Sequence, residues 1–243
     1  SHDDALALLR THAAGTAQLH LDIHFTGSVD AIRALNQGRC VMAGFHTLEH
    51  PPQGSLAQRT YQPLLKPGQH KLIGFARRTQ GLLVAPGNPL RLRSLADVAR
   101  LRARYVNRTI GTGTRVLLDE LLSQAGLDAA ALMGYERCET SHAAVAHAVA
   151  SGQADAGLGV ESAAHAEGLG FVPLVHERYH LACLKSALDQ PATRALVAVL
   201  QSASWQHLLG TLPGYQAANS GEVQSLRELL PWWTFQREKA HKH

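Results

Sequence analysis

Stretches with helical spacing of apolar positions alternate along the chain with short, nearly continuous apolar runs that are typical of buried strands. The pattern predicts helices over residues 3–12, 29–35, 114–124, 141–151, 161–167 and 191–203, and one that begins at Ser94. It predicts strands over 19–25, 41–45, 71–77, 81–84, 104–107, 155–160, 171–174 and 178–184, with a loop over 50–58 and a short turn over 78–80. This alternation indicates an α/β protein.

One local device occurs twice along the sequence: a helix, a polar turn with glycine, and a strand rich in Ala and Gly. The first copy covers residues 30–46 and the second covers residues 141–160. Two such copies predict two similar lobes, each with a buried strand that ends at a cleft. Ligands of open α/β sheets bind beyond the carboxyl ends of strands, often between domains.

Composition allows a sizeable core and gives no sign of a membrane segment. The chain has 243 residues, of which 45% are hydrophobic and 17% charged, enough for one large domain or two lobes. No apolar run reaches the length of a transmembrane helix, and the first residues lack the pattern of a secretory signal. Cys40, Cys138 and Cys183 have no Cys-x-x-Cys spacing, which favours free thiols and a cytoplasmic location. A periplasmic or cell-surface location is the alternative.

The positive charge favours an anionic ligand over a DNA-reading surface. The formal net charge is +4, with 15 histidines, and the basic residues are scattered rather than clustered on one element. No helix-turn-helix, zinc finger or mixed basic and aromatic patch stands out. We therefore expect no direct contact between this domain and nucleic acid.

A glycine-containing segment, 107–115, connects the predicted strand 104–107 to a helix. Its glycines permit close backbone approach, and the helix start supplies free N–H groups and a positive dipole end that favour anions. Threonine hydroxyls and arginine guanidiniums add donors. The candidate ligand residues here are Asn107, Arg108, Gly111, Thr112, Gly113, Thr114 and Arg115. The alternative is an ordinary capped helix after a tight turn. Gly-Lys-Ser/Thr is absent, which disfavours nucleotide hydrolysis.

Further candidates lie at strand ends and helix starts elsewhere in the chain. Ser1 and Ser28 could serve as ordinary helix caps or as ligand contacts. Glu177 is expected to take part in a hinge ion pair, which contributes little if it is exposed. The full set outside the glycine segment is Ser1, His2, Gly27, Ser28, His46, Arg77, Gln80, Thr140, Glu177 and Tyr179.

No motif indicates an enzyme. The sequence has no Gly-x-Ser-x-Gly elbow, and His46, His142 and His176 lack the spacing of metal-binding histidine motifs. We therefore expect a binding protein without catalytic residues, metal or required cofactor.

Several segments together resemble one family. They are the loop 107–119 with Gly-Thr-Gly-Thr-Arg-Val-Leu-Leu-Asp, Gly134-Tyr-Glu, the stretches 80–89, 139–146, 148–159 and 168–174, Glu177-Arg-Tyr and the opening Ser1-His-Asp. They are similar to the periplasmic-binding-protein-like domain of bacterial and archaeal transcription regulators, which also occurs fused to molybdopterin-biosynthesis proteins. The resemblance covers about residues 1–221.

The resemblance implies a type II periplasmic-binding-protein fold, an α/β fold of two lobes with a ligand in the cleft between them. We expect lobe I to comprise 1–78 and 179–221 and lobe II to comprise 79–178. Residues 222–243 would be a tail outside the resemblance, with some helix. Aromatic residues of this tail could dock on the body or at a dimer interface.

The resemblance also implies a ligand and partners. The ligand would be an oxyanion such as molybdate or tungstate, sensed in the cytoplasm for a DNA-binding segment in the same or another chain, and LysR-like relatives imply a homodimer by analogy. Two alternatives stay open: a solute-binding protein of an ABC-type transporter, and an accessory domain that binds molybdenum cofactor.

Overall fold

The computed structural model describes residues 3–233. Its helices are α1 (Asp4–Ala17), α2 (Ser28–Asn36), α3 (Leu56–Tyr61), α4 (Leu95–Arg100), α5 (Gly113–Gln124), α6 (His142–Ala150), α7 (Glu161–Ala166), α8 (Pro191–Gln201), α9 (Ala203–Leu209) and α10 (Leu226–Leu229). Its strands are β1 (Met42–Leu48), β2 (His70–Val84), β3 (Tyr105–Arg108), β4 (Cys138–Glu139), β5 (Ala156–Val160), β6 (Gly170–Leu184), β7 (Tyr215–Gln216) and β8 (Val223–Ser225). The predicted α/β class is confirmed, and no helix of the described residues is long and apolar enough to cross a membrane.

One curled sheet in the order β1-β6-β2-β5-β3-β4 runs through the molecule, with β7 and β8 added alongside β2. Strands β2 and β6 are 15 residues each and pair antiparallel from His70↔Leu184 to Val84↔Gly170. At one end β6 also pairs with β1, and at the other end β2 pairs with β5, which continues in parallel to β3. The two long strands therefore connect both halves of the sheet.

The continuity of β2 and β6 corrects two sequence predictions. The turn predicted over 78–80 and the break predicted over 175–177 do not exist, since both segments are paired strand. Polar residues indicated a turn because such residues normally avoid a sheet interior. Here Arg78 and Gln80 are almost fully buried, and each makes hydrogen bonds inside the protein instead of with water.

Buried apolar side chains form separate clusters at the two ends of the long strands. At one end, α1, α8 and α9 cover one sheet face around Trp205, while α2, α3 and α10 cover the other face around Tyr61. At the other end, α4 and α5 pack around Tyr105, and α6 and α7 pack around Val145. The predicted lobe boundaries fall at one level of the two long strands, where Arg78 pairs with Glu177 in the register. They remain predictions.

The strand predicted over 19–25 is wrong. Its apolar residues Leu19, Leu21 and Ile23 alternate with exposed polar residues and pack on the Trp205 cluster. The segment nevertheless pairs with no described strand. Covering a core from outside produces the same alternation as a half-buried strand, so period alone could not distinguish them. The loop predicted over 50–58 is likewise too long, because Ser55 caps α3 by accepting from the Gln58 N–H.

The part of the tail that the structure describes is docked on the body. Strand β8 pairs with β2, and the Trp232 ring is 3% exposed within the Tyr61 cluster. The Trp232 carbonyl accepts from the Gln62 side chain at 2.6 Å. The helix predicted for this tail is the short α10, and residues 234–243 lie outside the described residues.

Substitution of Trp232 tests whether the tail is part of the core. We expect Trp232→Ala to lower the free energy of unfolding by about 3–5 kcal/mol in urea titrations, since it leaves a large cavity. Val223→Ala is the control in the same tail, because Val223 is 40% exposed and should cost less than about 1 kcal/mol. Equal effects would show that the tail does not pack as described.

Candidate functional site

The N-termini of α2 and α5 face each other from opposite halves of the sheet. A methyl group built on Gly27, the N-cap of α2, would lie 2.6 Å from the Gly111 carbonyl oxygen. One built on Gly113, the first residue of α5, would lie 3.1 Å from Ser28 Oγ and 3.4 Å from His46 Nδ1. Four residues predicted from sequence are thus brought together with His46. Both helix ends carry unsatisfied N–H groups and partial positive charge.

The glycine segment forms a capped helix start, as its simpler interpretation predicted. Thr112 Oγ1 accepts from the Arg115 N–H at 3.3 Å and donates to the Thr109 carbonyl at 2.8 Å. Gly111 has φ +85°, a backbone conformation that residues with a side chain rarely adopt. The Thr112 hydroxyl is therefore used within the loop, while Thr114, 3% exposed, points inward.

A buried ion-pair network lies beneath the two helix ends. Arg78 donates to Asp3 Oδ2 at 2.6 Å and to Glu177 Oε2 at 2.9 Å. Asp3 is also the N-cap of α1, accepting from the Ala5 N–H at 2.8 Å, and it accepts from the Tyr215 hydroxyl. All three charged groups are at most 1% exposed. The network therefore joins α1, β2, β6 and β7 at the level where the two halves meet.

The pKa values of Arg78 and Glu177 are set by burial and by the charges of their partners. Burial alone would lower the pKa of Arg78, but the Glu177 and Asp3 carboxylates outweigh it and raise that pKa. Burial raises the pKa of Glu177, and the Arg78 guanidinium only partly offsets this. Glu177 therefore takes part in an ion pair, as predicted, and this pair is buried rather than exposed. That the chain hinges at this point stays a prediction.

Gln80 and Thr114 connect the network to the start of α5. Gln80 Nε2 donates to Glu177 Oε2 at 2.6 Å and to Thr114 Oγ1 at 3.2 Å. Thr114 Oγ1 is in turn 3.4 Å from His142 Nε2. The chain of contacts therefore reaches from the long strands to the N-termini of both α5 and α6.

His46 lies at the edge of this network, stacked on another predicted residue, Tyr179, with ring centroids 4.0 Å apart. Its Nε2 is 3.4 Å from Asp3 Oδ2. Burial and then the Arg78 charge hold the pKa of His46 well below its usual value, so the ring is neutral near pH 7. The pocket beside it, about 250 Å³ including space open to solvent, is lined by His46, Thr47, Leu48, Ala57, Gly113, Val116, Leu117, Glu120 and Glu177.

Four predicted residues form a separate support behind the α5 start. The Arg115 guanidinium lies 4.0 Å above the Tyr135 ring and 3.6 Å from Asp119 Oδ1. Asn107 Nδ2 donates to the Tyr135 carbonyl at 3.0 Å, and Arg108 donates to the Thr140 carbonyl at 3.1 Å. These contacts fix the loop from behind. A direct contact of Asn107, Arg108, Thr140 or Arg115 with a ligand stays a prediction.

Arg77 is placed away from the cluster. Because side chains alternate along a strand, its guanidinium lies on the opposite sheet face from Arg78, 3.1 Å from Glu49 and 3.3 Å from the Gln216 side chain. Ser1 and His2 lie outside the described residues. Their predicted ligand contacts therefore stay predictions.

Sequence reasoning missed Asp3, Arg78 and His142 as members of the site. Arg78 and Gln80 are two residues apart and share one face of β2. This spacing could have indicated a common site, but a turn was predicted over 78–80 instead of a strand. Asp3 was predicted to be the first residue of the helix over 3–12, whereas it is the N-cap of α1. Within residues 3–233, no group of three His, Cys, Asp or Glu side chains could hold a metal ion.

Comparisons with known proteins agree with this architecture. A family model described as the PBP superfamily domain matches residues 10–201. The uncharacterized protein YvgK of Bacillus subtilis is 33% identical over 221 residues, 91% of this chain and 71% of that protein. A phosphate ABC transporter substrate-binding protein with bound phosphate from Clostridium perfringens has a similar fold, with TM-score 0.67 at 12% identity over 88% of this chain and 94% of that one.

A second solved structure, the effector-binding domain of QuiR in complex with shikimate, has TM-score 0.58 at 16% identity. The match covers 80% of this chain and 87% of that one. The chain belongs to the PBP superfamily, the periplasmic-binding-protein-like domains. It is a ligand-binding domain of that class, as the sequence resemblance predicted, and its fold is confirmed.

Neighbouring arginines on opposite faces of β2 test the buried network. We expect Arg78→Met to lower the free energy of unfolding by about 3–5 kcal/mol, because it leaves two buried carboxylates without their cation. Arg77→Met removes an equal charge from a partly exposed pair and should cost less than about 1 kcal/mol. Urea titration of both variants measures this, and similar losses would contradict the buried network.

The close contact at Gly27 tests whether the two halves meet here. Gly27 has φ −66°, which alanine adopts without strain, so Gly27→Ala should act mainly by pushing the Gly111 loop away. We expect Gly27→Ala to lower the free energy of unfolding by about 1–3 kcal/mol in urea titrations, as overpacking does. Gly15→Ala is the control, since nothing lies within 4 Å of its added methyl group. No loss of stability in Gly27→Ala relative to this control would contradict the described contact.

Proposed function

We propose that this chain is a sensor domain that binds a small oxyanion in the cleft, between the N-termini of α2 and α5. The observation that carries the proposal is the meeting of two helix N-termini from opposite halves of the sheet, Gly27-Ser28 against Gly111-Gly113. Two positive dipole ends repel each other, and an anion between them would turn this repulsion into attraction.

Anion binding would also couple the ligand to domain closure. Donors contributed by both halves stabilise the closed arrangement more than the open one, and a ligand shifts such an equilibrium by its difference in affinity for the two states. Buried surroundings of low dielectric constant strengthen each donor's interaction with the anion. The same arrangement suits an effector domain and a transporter's solute-binding protein.

Molybdate and tungstate are the ligands that the sequence resemblance implies, and the Clostridium perfringens structure adds phosphate to the anions worth testing. We further propose that the domain acts in the cytoplasm with a DNA-binding segment, as a homodimer and without enzymatic activity. The match covers 71% of YvgK, so that relative has further residues in which a partner segment could lie. The alternative is an extracytoplasmic solute-binding protein, and promoter-binding assays on the full-length gene product would separate the two.

Substitutions at Ser28 test the role of the helix N–H groups. Proline is tolerated at the first position of a helix and lacks the N–H, and Gly27, with ψ 153°, has the extended backbone that proline requires before it. We expect Ser28→Pro to weaken anion binding by about tenfold or more, the worth of one charge-assisted hydrogen bond. Calorimetric titration with molybdate, tungstate, phosphate and sulfate measures it.

Ser28→Ala is the matched control, because it removes the hydroxyl and keeps the N–H. It should weaken binding less than Ser28→Pro does, provided that both variants unfold at temperatures close to that of the wild type. Absence of binding heat for all four anions in the folded wild-type protein would contradict the proposed function.

A further inference from the structure

One buried acceptor next to the start of α5 has no hydrogen-bond partner among the described residues. Gln80 is 0% exposed, and its Oε1 makes no hydrogen bond with any described residue. Its amide nitrogen is meanwhile used twice, by Glu177 and by Thr114 at the start of α5. A buried carbonyl oxygen without a donor is costly. It lies on the group that connects the ion-pair network to the helix ends.

The orientation of this amide is fixed by its neighbours. Rotating it by 180° would place Oε1 against Glu177 Oε2, at the 2.6 Å distance now occupied by the nitrogen. Two acceptors at that distance repel each other. Glu177 Oε2 also accepts from the Arg78 guanidinium, a contact that favours the ionised carboxylate, which has no proton to donate. Thr114 Oγ1 would then also lose the donor that reaches it from Gln80. The oxygen therefore keeps its position, and only an additional donor can satisfy it.

The ligand is the group that can bring this donor. An anion without protons, such as sulfate, molybdate or tungstate, offers only acceptors, and placing one beside Gln80 Oε1 would add repulsion. A protonated oxyanion such as hydrogen phosphate, or a carboxylate that carries a hydroxyl, offers acceptors to the helix N–H groups and a donor to the amide oxygen. Sites that hydrogen-bond a hydroxyl discriminate strongly against analogues that lack it.

We propose that Gln80 is a specificity-determining residue, which selects anions that carry a hydrogen-bond donor over anions that do not. This inference rests on the proposed anion site between α2 and α5 and narrows its ligand class. It ranks a protonated oxyanion or a hydroxy-carboxylate above fully ionised molybdate and tungstate.

Calorimetry with matched anion pairs at pH 7.5 tests the selection in the wild-type protein. Phosphate is compared with sulfate, and glycolate with acetate, since the two members of each pair differ in carrying a donor. We expect the donor-bearing member of at least one pair to bind about tenfold tighter. Preference for phosphate identifies a protonated oxyanion, and preference for glycolate identifies a hydroxy-carboxylate.

Variants then assign the selection to one residue. Gln80→Met keeps the length of the side chain and removes its oxygen, so the affinity ratio within the discriminated pair should fall toward one. The ratio isolates the oxygen, because loss of the bonds to Glu177 and Thr114 weakens both members alike. Thr79→Val is the control on the opposite sheet face, where Thr79 contacts His176, and it should leave the ratio unchanged.

Three results would contradict the selectivity of Gln80 without contradicting the anion site. The first is equal affinity within both pairs, and the second is binding of molybdate or tungstate at least as tight as that of phosphate and glycolate. The third is an unchanged affinity ratio in Gln80→Met. The last would show that the Gln80 oxygen does not set the selectivity. If Gln80→Met does not fold, the wild-type ratios decide alone. If none of these anions binds, the proposed function itself fails.

Discussion

The guanidinium of Arg78 sits between two carboxylates in the middle of the longest strand pair, and the arrangement of both halves depends on it. Its partners come from distant parts of the sequence, Asp3 at the start of α1 and Glu177 on β6. Removing the Arg78 charge would leave two buried carboxylates without their cation, at a cost comparable to much of a domain's stability. The network therefore fixes the register of β2 against β6 and holds the start of α1 against them.

The same network lies beside the proposed ligand site. The long strands cross from one half to the other at Arg78 and Glu177, and the helix N-termini of both halves converge directly beside this crossing. Gln80 donates to both Glu177 and Thr114, so the position of the α5 N-terminus depends on the pair of long strands, β2 and β6. Anion-favouring groups are thereby held in position before a ligand arrives, which reduces the ordering cost of binding.

Much of the fold could be predicted from the sequence, because its local signals agree with the tertiary structure. The helix caps at Ser94 and Thr112 and the small-residue strand β5 are local features, and the family motifs gave the overall fold. The errors at 78–80 and 19–25 share one cause. Both depended on contacts far away in sequence: an ion pair that keeps polar residues inside a strand, and a core that an unpaired segment covers.

The candidate site divides in the same way. Gly27, Ser28 and Gly111–Thr114 could be predicted because helix starts are visible in sequence, and they are brought together as expected. Arg115 and Asn107 have the right chemistry, but their contacts are with Tyr135 and Asp119 in their own half. Asp3 and Arg78 could not be recognised, since a cap and a strand arginine carry no local mark of the partner that gives them their role.

Crystals grown with arsenate, a tetrahedral oxyanion that keeps a proton at neutral pH, would show directly whether an anion binds between the two helix ends. We expect one anomalous arsenic peak in the cleft, with arsenate oxygens within hydrogen-bond distance of the backbone N–H groups of Ser28 and Thr114 and of Gln80 Oε1. An ordered arsenate elsewhere on the protein, with the α2 and α5 ends still in contact and empty between them, would contradict it.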